Sequence, residues 1–317
     1  MYIQDGDVKR EAQMTDMLSK AGRTTQQVAL QLCDVPLGEK IPTVSELVER
    51  CGASRGNVQK ALSNLKDGGA VELEAHGQNG TLLTSIDYIA LAKICGRAHL
   101  VGTMPLPYTL RYEGLATALH TLLNVGGMRS FITFLRGSEA RVQMLLDGSA
   151  DYSLMSKMAF DSYVSQGYPL SAALACSPLS YVGHHVLLSL DPERTDWTGA
   201  RVGIDESSVD QGSLTQRYFE GVEVEYVPVQ YTHIVDMILA GELDAGIWNE
   251  DDVHVKAANL STRPVENLDM SGSNTRAVVV VRNDDAFSRQ LIKTLATSAR
   301  VDEIQRKVME GKLAACY

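Results

Sequence analysis

The chain has 317 residues, 44% of them hydrophobic and 21% charged, the balance of a soluble globular protein of two or three domains. No apolar run approaches the roughly 20 residues of a membrane helix, and Met1 to Asp7 lacks the basic stretch and apolar core of a secretory signal. The net charge of −10 is uneven. Residues 1–97 carry 11 Lys/Arg against 12 Asp/Glu and the remainder 18 against 27, so nucleic-acid contact is expected from the near-neutral N-terminal part.

The five cysteines (Cys33, Cys51, Cys95, Cys176, Cys316) are scattered and odd in number. That pattern fits a reducing cytoplasm and argues against a disulfide framework or a zinc module. A cytoplasmic protein with no membrane contact is the expectation.

Residues 1–21 read as a polar arm, a weak helix or a disordered one. A helix is predicted over Thr24 to Cys33, ended by Pro36-Leu-Gly38. Thr43 and Glu46 then have capping-box spacing and start a second helix, which Gly52 stops. Ser54 caps a third. Its Val58, Ala61, Leu62 and Leu65 fall on one apolar stripe, leaving Arg55, Asn57, Gln59, Lys60, Ser63 and Asn64 on the other face. Each of those polar types can reach phosphates or base edges. Val71-Glu-Leu-Glu74 and Thr81-Leu-Leu-Thr84 alternate as strands, and Asn79-Gly80 between them predicts a two-residue hairpin turn. Helix, short turn, helix, hairpin is the order of a winged helix-turn-helix.

Ile41-Pro42-Thr43, Ser45-Glu46-Leu47, Gly52 through Leu62 and Asn79-Gly80 together resemble the GntR class of bacterial winged-helix regulators. The resemblance implies that Ser54, Arg55 and Asn57 contact the major groove or its phosphates and that Lys60 meets backbone phosphate. With Thr43, Gln59, His76 and Asn79 they form the candidate DNA-binding set. Glu72-Leu-Glu74 departs from the basic wing usual in that class and puts a minor-groove role for the wing in doubt.

Ser85 to Arg97 reads as a linker, either a short amphipathic helix or a strand entering the next domain. It could help pair two copies as a two-fold dimer, or pack on its own body.

Beyond it, strands and helices alternate, which predicts an α/β body with mostly parallel sheets covered on both faces. Val142-Gln-Met-Leu-Leu-Asp-Gly-Ser-Ala-Asp151 recurs 93 residues later as Val235-Asp-Met-Ile-Leu-Ala-Gly-Glu-Leu-Asp244, each followed by a buried strand. The echo predicts two similar lobes, with the strand tips Met155-Ser156-Lys157 and Trp248-Asn249-Glu250 as two lips of one cleft. The expected division is therefore arm 1–21, winged helix-turn-helix 22–84, linker 85–97 and a two-lobed effector-binding domain 98–317.

Met104-Pro-Leu-Pro-Tyr-Thr, Tyr112-Glu-Gly-Leu-Ala, Val142–Asp151 and Ile247-Trp-Asn249 resemble the YhfZ family of transcriptional regulators over nearly the full length. The resemblance implies a winged helix fused to a type-2 periplasmic-binding-protein-like body, the effector fold also used by LysR-type regulators.

Candidate ligand-binding residues stand at the predicted strand ends: Tyr108, Thr109 and Arg111, then Ser138, Ser156 and Lys157, then Ser207, Ser208 and Gln211, and finally Tyr231, Thr232 and Asn249. Helix N-termini there favour anions; helix capping and core packing would use the same residue types. Gly183-His-His185, Glu250-Asp-Asp252 and His254 lack metal-ligand spacing, and no nucleotide or nucleophile motif occurs, so neither a metal nor a cofactor is expected. The sequence thus reads as a ligand-responsive, dimeric DNA-binding regulator with a small anionic or polar effector. Two alternatives remain: an enzyme on the same fold with the winged helix as an interaction module, and a DNA-binding protein with a purely structural cleft.

Overall fold

The computed structural model describes residues 19–252, 260–265 and 272–317; the predicted arm up to residue 18 and His254 lie outside them. The chain divides into two compact units. One holds the residues up to His99 together with Gly126–Arg129 and Asp285–Thr294; the other holds Leu100–Val125, Ser130–Asp284 and Leu295–Tyr317.

In the first unit, helix α1 (Lys20–Cys33) starts a turn before the predicted Thr24. The hydroxyls of Thr24 and Thr25 bond back to the carbonyls of Lys20 and Ala21, so they continue a helix and Ser19 caps it. Helix α2 (Val44–Cys51) has the predicted capping box between Thr43 and Glu46 and stops on left-handed Gly52. Helix α3 (Arg55–Asp67) is capped by Ser54 Oγ, which accepts from Asn57 N, and buries Val58, Ala61 and Leu65.

Strands β1 (Val71–Ala75) and β2 (Thr81–Ile86) pair antiparallel, with Lys40 bridging Leu82 on the far side. The predicted two-residue turn is not formed. The loop runs from His76 to Gly80 around a 3-10 turn at Gly77–Asn79, because Ala75 pairs with Thr81 and His76 N donates to Gly80 O. The linker is a helix, α4 (Tyr88–Ile94), capped by Asp87, with Leu91 and Ala92 buried against the same unit. Arg97 forks onto both oxygens of Asp285 at 3.0 and 2.8 Å and lies over the Phe287 ring, which ties Asp285–Thr294 into this unit.

The second unit is built on two five-stranded sheets. The first comprises β3 (His99–Met104), β4 (Arg129–Phe134), β5 (Tyr152–Ser156), β6 (Leu170–Ala175) and β12 (Ala277–Arg282), in the order β4-β3-β5-β12-β6. The second comprises β7 (His185–Ser189), β8 (Arg201–Ile204), β9 (Glu225–Pro228), β10 (Ala245–Asn249) and β11 (Ser261–Pro264), in the order β11-β7-β10-β8-β9. The second lobe is therefore inserted between β6 and β12 of the first.

The sheets are mixed and not mostly parallel. β3 with β5, β10 with β8 and β8 with β9 run parallel, while β12 is antiparallel to β5 and β6, and β7 is antiparallel to β10 and β11. The antiparallel pairings are those of β7 and β12, the strands that follow the two crossings between lobes. In the second sheet Leu187 and Ile247 face one apolar cluster while Val186, Leu188 and Trp248 face another, so both faces are covered.

The sequence echo has a structural cause. After helix α6 (Ser138–Leu146), Gly148 turns at φ 79°, and Asp151 donates its N–H to Val101 O at 2.8 Å while its carboxylate accepts Val101 N at 2.7 Å. After helix α9 (Ile234–Leu239), Gly241 turns at φ 71°, and Asp244 makes the same two bonds to Arg201, each at 2.8 Å. Each aspartate thus stands just before a strand and pairs both backbone groups of one residue in the parallel strand beside it.

Candidate functional site

A cavity of about 230 Å³ lies between the two sheets of the second unit. It opens where β3, β4, β8 and β9 run into their following segments, as expected at strand ends of an α/β fold. On the first lobe its wall includes Tyr108 and Tyr112, around the start of helix α5 (Leu110–Leu123), and Gly137, Ser138 and Arg141 on α6. On the second it includes Asp205, Ser208 and Asp210 at the start of helix α8 (Val209–Tyr218), then Tyr231, Thr232 and Asn249.

The lobes touch around this cavity. Ser156 Oγ donates to Asp210 Oδ1 at 2.7 Å, and Arg136 Nη1 donates to Thr232 Oγ1 at 2.9 Å. Gly137, at φ 72°, lies against Ser207, and a Cβ there would meet the Ser207 carbonyl oxygen at 3.2 Å. Tyr108 and Tyr231 approach across the cleft with ring centroids 6.3 Å apart. Tyr231 is stacked flat on buried Trp248 at 4.0 Å, and its hydroxyl accepts Asn249 N.

Burial raises the phenol pKa of Tyr108, Tyr112 and Tyr231, with neighbouring tyrosines adding to it, so all three stay neutral donors. Tyr181, on the crossing from β6 to β7, is pushed to about 12 by burial, against the pull of Arg141.

Arg141 is only 4% exposed. Its Nη1 donates to Leu135 O at 2.9 Å and the guanidinium lies near enough to the Tyr181 hydroxyl to lower its pKa, but Nε is buried with no partner. Asn249 is 2% exposed. Its Oδ1 accepts Asp251 N at 2.9 Å, which fixes the amide orientation, and Nδ2 has no partner.

Of the candidate ligand residues, Tyr108, Ser138, Ser207, Ser208, Gln211, Tyr231, Thr232 and Asn249 line the cavity. Several are already engaged: Ser138 Oγ with the Tyr163 hydroxyl at 3.0 Å, and Gln211 with Asp205 N and Gly203 O. Four others are spent elsewhere. Thr109 caps α5 through Tyr112 N, and Arg111 is paired with Asp251 at 2.8 Å and bonded to Leu179 O. Ser156 bonds Asp210, and Lys157 pairs with Asp161 one helical turn on. Arg141, Tyr181 and Asp210 were not anticipated. Arg141 lies on α6 and is buried with its guanidinium against Leu135 O and near Tyr181, residues that local sequence pattern does not bring to it.

In the first unit, Arg55, Gln59 and Lys60 are exposed on the face of α3 opposite its core stripe, and Asn57 is half-buried. The hydroxyls of Thr43 and Ser54 act as helix caps, which leaves both residues exposed at the helix starts. His76 in the wing loop is 3.3 Å from Glu74. Asn79 contributes its backbone to the 3-10 turn.

Residues 87–317 match the family described as the YhfZ C-terminal domain, and residues 36–83 match a helix-turn-helix domain family. The Escherichia coli (strain K12) protein carrying the name "Uncharacterized protein YhfZ" is 33% identical over 301 residues, 95% of this chain and 98% of that protein. The chain belongs to the YhfZ family. The crystal structure of YhfZ from Shigella flexneri, also 33% identical, superposes with a TM-score of 0.60 over 69% of this chain and 94% of that one. The periplasmic aliphatic sulphonate binding protein SsuA from Escherichia coli aligns at 13% identity and TM-score 0.51, over 68% of this chain and 75% of its own. That likeness concerns the fold. In this YhfZ-family chain, then, a helix-turn-helix unit precedes a body of periplasmic-binding-protein type, and the cavity lies between that body's two sheets.

Proposed function

We propose that this YhfZ-family protein is a cytoplasmic, ligand-responsive transcriptional regulator of GntR-like kind. It binds operator DNA as a homodimer through its winged helix and binds a small polar or anionic metabolite between the two lobes of its body. The observation that carries the reading is the pairing, in one chain, of a capped helix whose Arg55, Gln59 and Lys60 are exposed with a two-sheet body that encloses a cavity. Exposed Arg and Gln on a helix-turn-helix recognition helix suit base edges, and Lys suits phosphate.

A non-enzymatic role fits the chemistry of the body. Burial pushes the Cys176 thiol up to about 12, so it is no nucleophile at neutral pH, and the Ser138 hydroxyl on the cavity wall is bonded to a phenol and not to a base. Effector binding alters DNA affinity to the extent that the effector prefers one conformation over the other.

The test is fluorescence polarisation of the full chain on the DNA upstream of its own coding region, at moderate salt, with a thermal-shift screen of phosphorylated sugars, amino acids and keto acids beside it. Sequence-specific binding that a stabilising metabolite changes is the expected result. Absence of a specific complex at any moderate salt removes the regulator reading.

A further inference from the structure

The cavity wall carries an unusual pair of unsatisfied groups. Arg141 and Asn249 are both more than nine-tenths buried, both line the cavity, and each holds a buried nitrogen donor, Nε and Nδ2, without a hydrogen-bond partner. Such donors cost free energy in a folded protein unless something else they serve offsets it. They come from opposite lobes, Arg141 from α6 and Asn249 from the end of β10.

Both are donors only. The Asn249 oxygen is already taken by Asp251 N, so its free end is the NH2 group, and a guanidinium has no acceptor at all. Arg141 is also a buried charge with no carboxylate within 4 Å among the described residues. Buried cations are normally paired.

The remaining lining fixes the ligand's charge and body. Arg136 on the rim is exposed and donates to Thr232, and two aspartates, Asp205 and Asp210, also line the cavity. A dianion would therefore bring more negative charge than one buried guanidinium offsets. The wall also carries phenol rings and apolar side chains, among them Leu106, Leu135 and Val182, beside uncharged polar side chains such as Ser207, Ser208 and Gln230 and the imidazole of His185.

We infer that the cavity takes a small organic monocarboxylate, its planar carboxylate accepting from Arg141 and Asn249 and its body lying among the tyrosines. The planar two-oxygen acceptor suits a guanidinium edge, as phosphate also does, but it carries the single charge this site can hold. Because the two donors sit on different lobes, one carboxylate bridges them and favours the closed arrangement. This inference rests on the reading of the cleft as a metabolite site.

The experiment is isothermal titration and thermal shift on the full chain with acetate, lactate, benzoate, alanine and pyruvate. The neutral amides of the first three and inorganic phosphate serve as controls, and wild type is compared with Arg141→Met, Arg141→Lys and Asn249→Ala. Carboxylates are expected to bind and their amides not to. Arg141→Met should lose about tenfold or more of that affinity; because it also removes the bond to Leu135 O, its ligand-free melting temperature is measured beside the titration so that a loss of fold is told apart from a loss of binding. Arg141→Lys keeps the charge and loses the fork, and Asn249→Ala removes the second donor; each should weaken carboxylate binding and keep the preference over amides. Tighter binding of phosphate or an amide, or carboxylate binding unchanged in Arg141→Met, overturns the inference and leaves the metabolite reading standing. Binding of no compound of any class in this panel or the broader screen overturns both.

Discussion

Ser156 Oγ donates to Asp210 Oδ1 at 2.7 Å, and that bond joins the tip of β5 in one sheet to the first turn of a helix carried by the other. Ser156 also caps helix α7 (Lys157–Ser165) by accepting from Ala159 N, so its position is set within its own lobe before it meets Asp210. The bond is charge-assisted and worth about 1.5–3 kcal/mol where it is buried. Asp210→Asn should shift the ligand-free protein toward the open arrangement by roughly tenfold. Distances between spin labels on the two lobes check this; an unchanged distribution would mean that other contacts hold the lobes.

Gly137 offers an independent handle on the same closure. Its φ of 72° and the 3.2 Å approach of Ser207 O both penalise a side chain. Gly137→Ala should cost about 1–2 kcal/mol through backbone strain and should lower affinity for any cleft ligand. Denaturant unfolding and titration separate the two effects.

Arg55→Ala should reduce sequence-specific DNA affinity by about 1–3 kcal/mol and relax specificity at one base position. Lys60→Ala should weaken binding to all sequences and lower the slope of log K against log salt by about one. Polarisation across a salt series distinguishes them.

Thr43 has a capping role that is separable from any DNA contact. Its hydroxyl accepts Glu46 N, and Glu46 returns to Thr43 N at 2.6 Å. Thr43→Ala should destabilise the fold by about 1 kcal/mol and Thr43→Ser by much less. A shared loss of DNA affinity in both variants, despite the preserved cap in the second, would point to a direct contact by the threonine.

Asp285 predicts an acid dependence. Burial would raise its pKa, but the Arg97 fork and the bonds from Ser288 outweigh it and hold the carboxyl below the usual range. The folded value is thus lower than the unfolded value of about 3.9. The stabilisation is present above that unfolded value and is lost as the pH falls through the folded one. Melting temperatures from pH 6 down to pH 2.5 should fall more steeply for the wild type than for Asp285→Asn; parallel curves would assign the acid sensitivity elsewhere.

The winged helix was largely legible in the sequence because its signals are local. The Thr43–Glu46 and Ser54 caps, the Gly52 stop and the stripe from Val58 to Leu65 each act within about a turn or two of helix. The hairpin loop was misread where Asn79-Gly80 suggested the tightest turn, since strand pairing beyond it decided the loop length. In the body the repeat was visible because each copy performs the same local task, an aspartate holding the backbone of a neighbouring strand.

By itself, then, the sequence determined the caps and stops of the winged helix and the repeated helix-glycine-aspartate-strand unit of the body, which follow from periodicity, caps and glycine stops; of the two strand tips expected at the cleft, Asn249 lines the cavity and Ser156 instead bonds Asp210. Only the tertiary structure decided which polar groups face the cavity and which are consumed. Arg111 and Lys157 found acidic partners and Thr109 became a cap, while Arg141 was buried beside Tyr181 without a carboxylate. Whether a charged side chain is solvated, paired or stranded depends on residues far away in the chain, so no local pattern around Arg141 could report it.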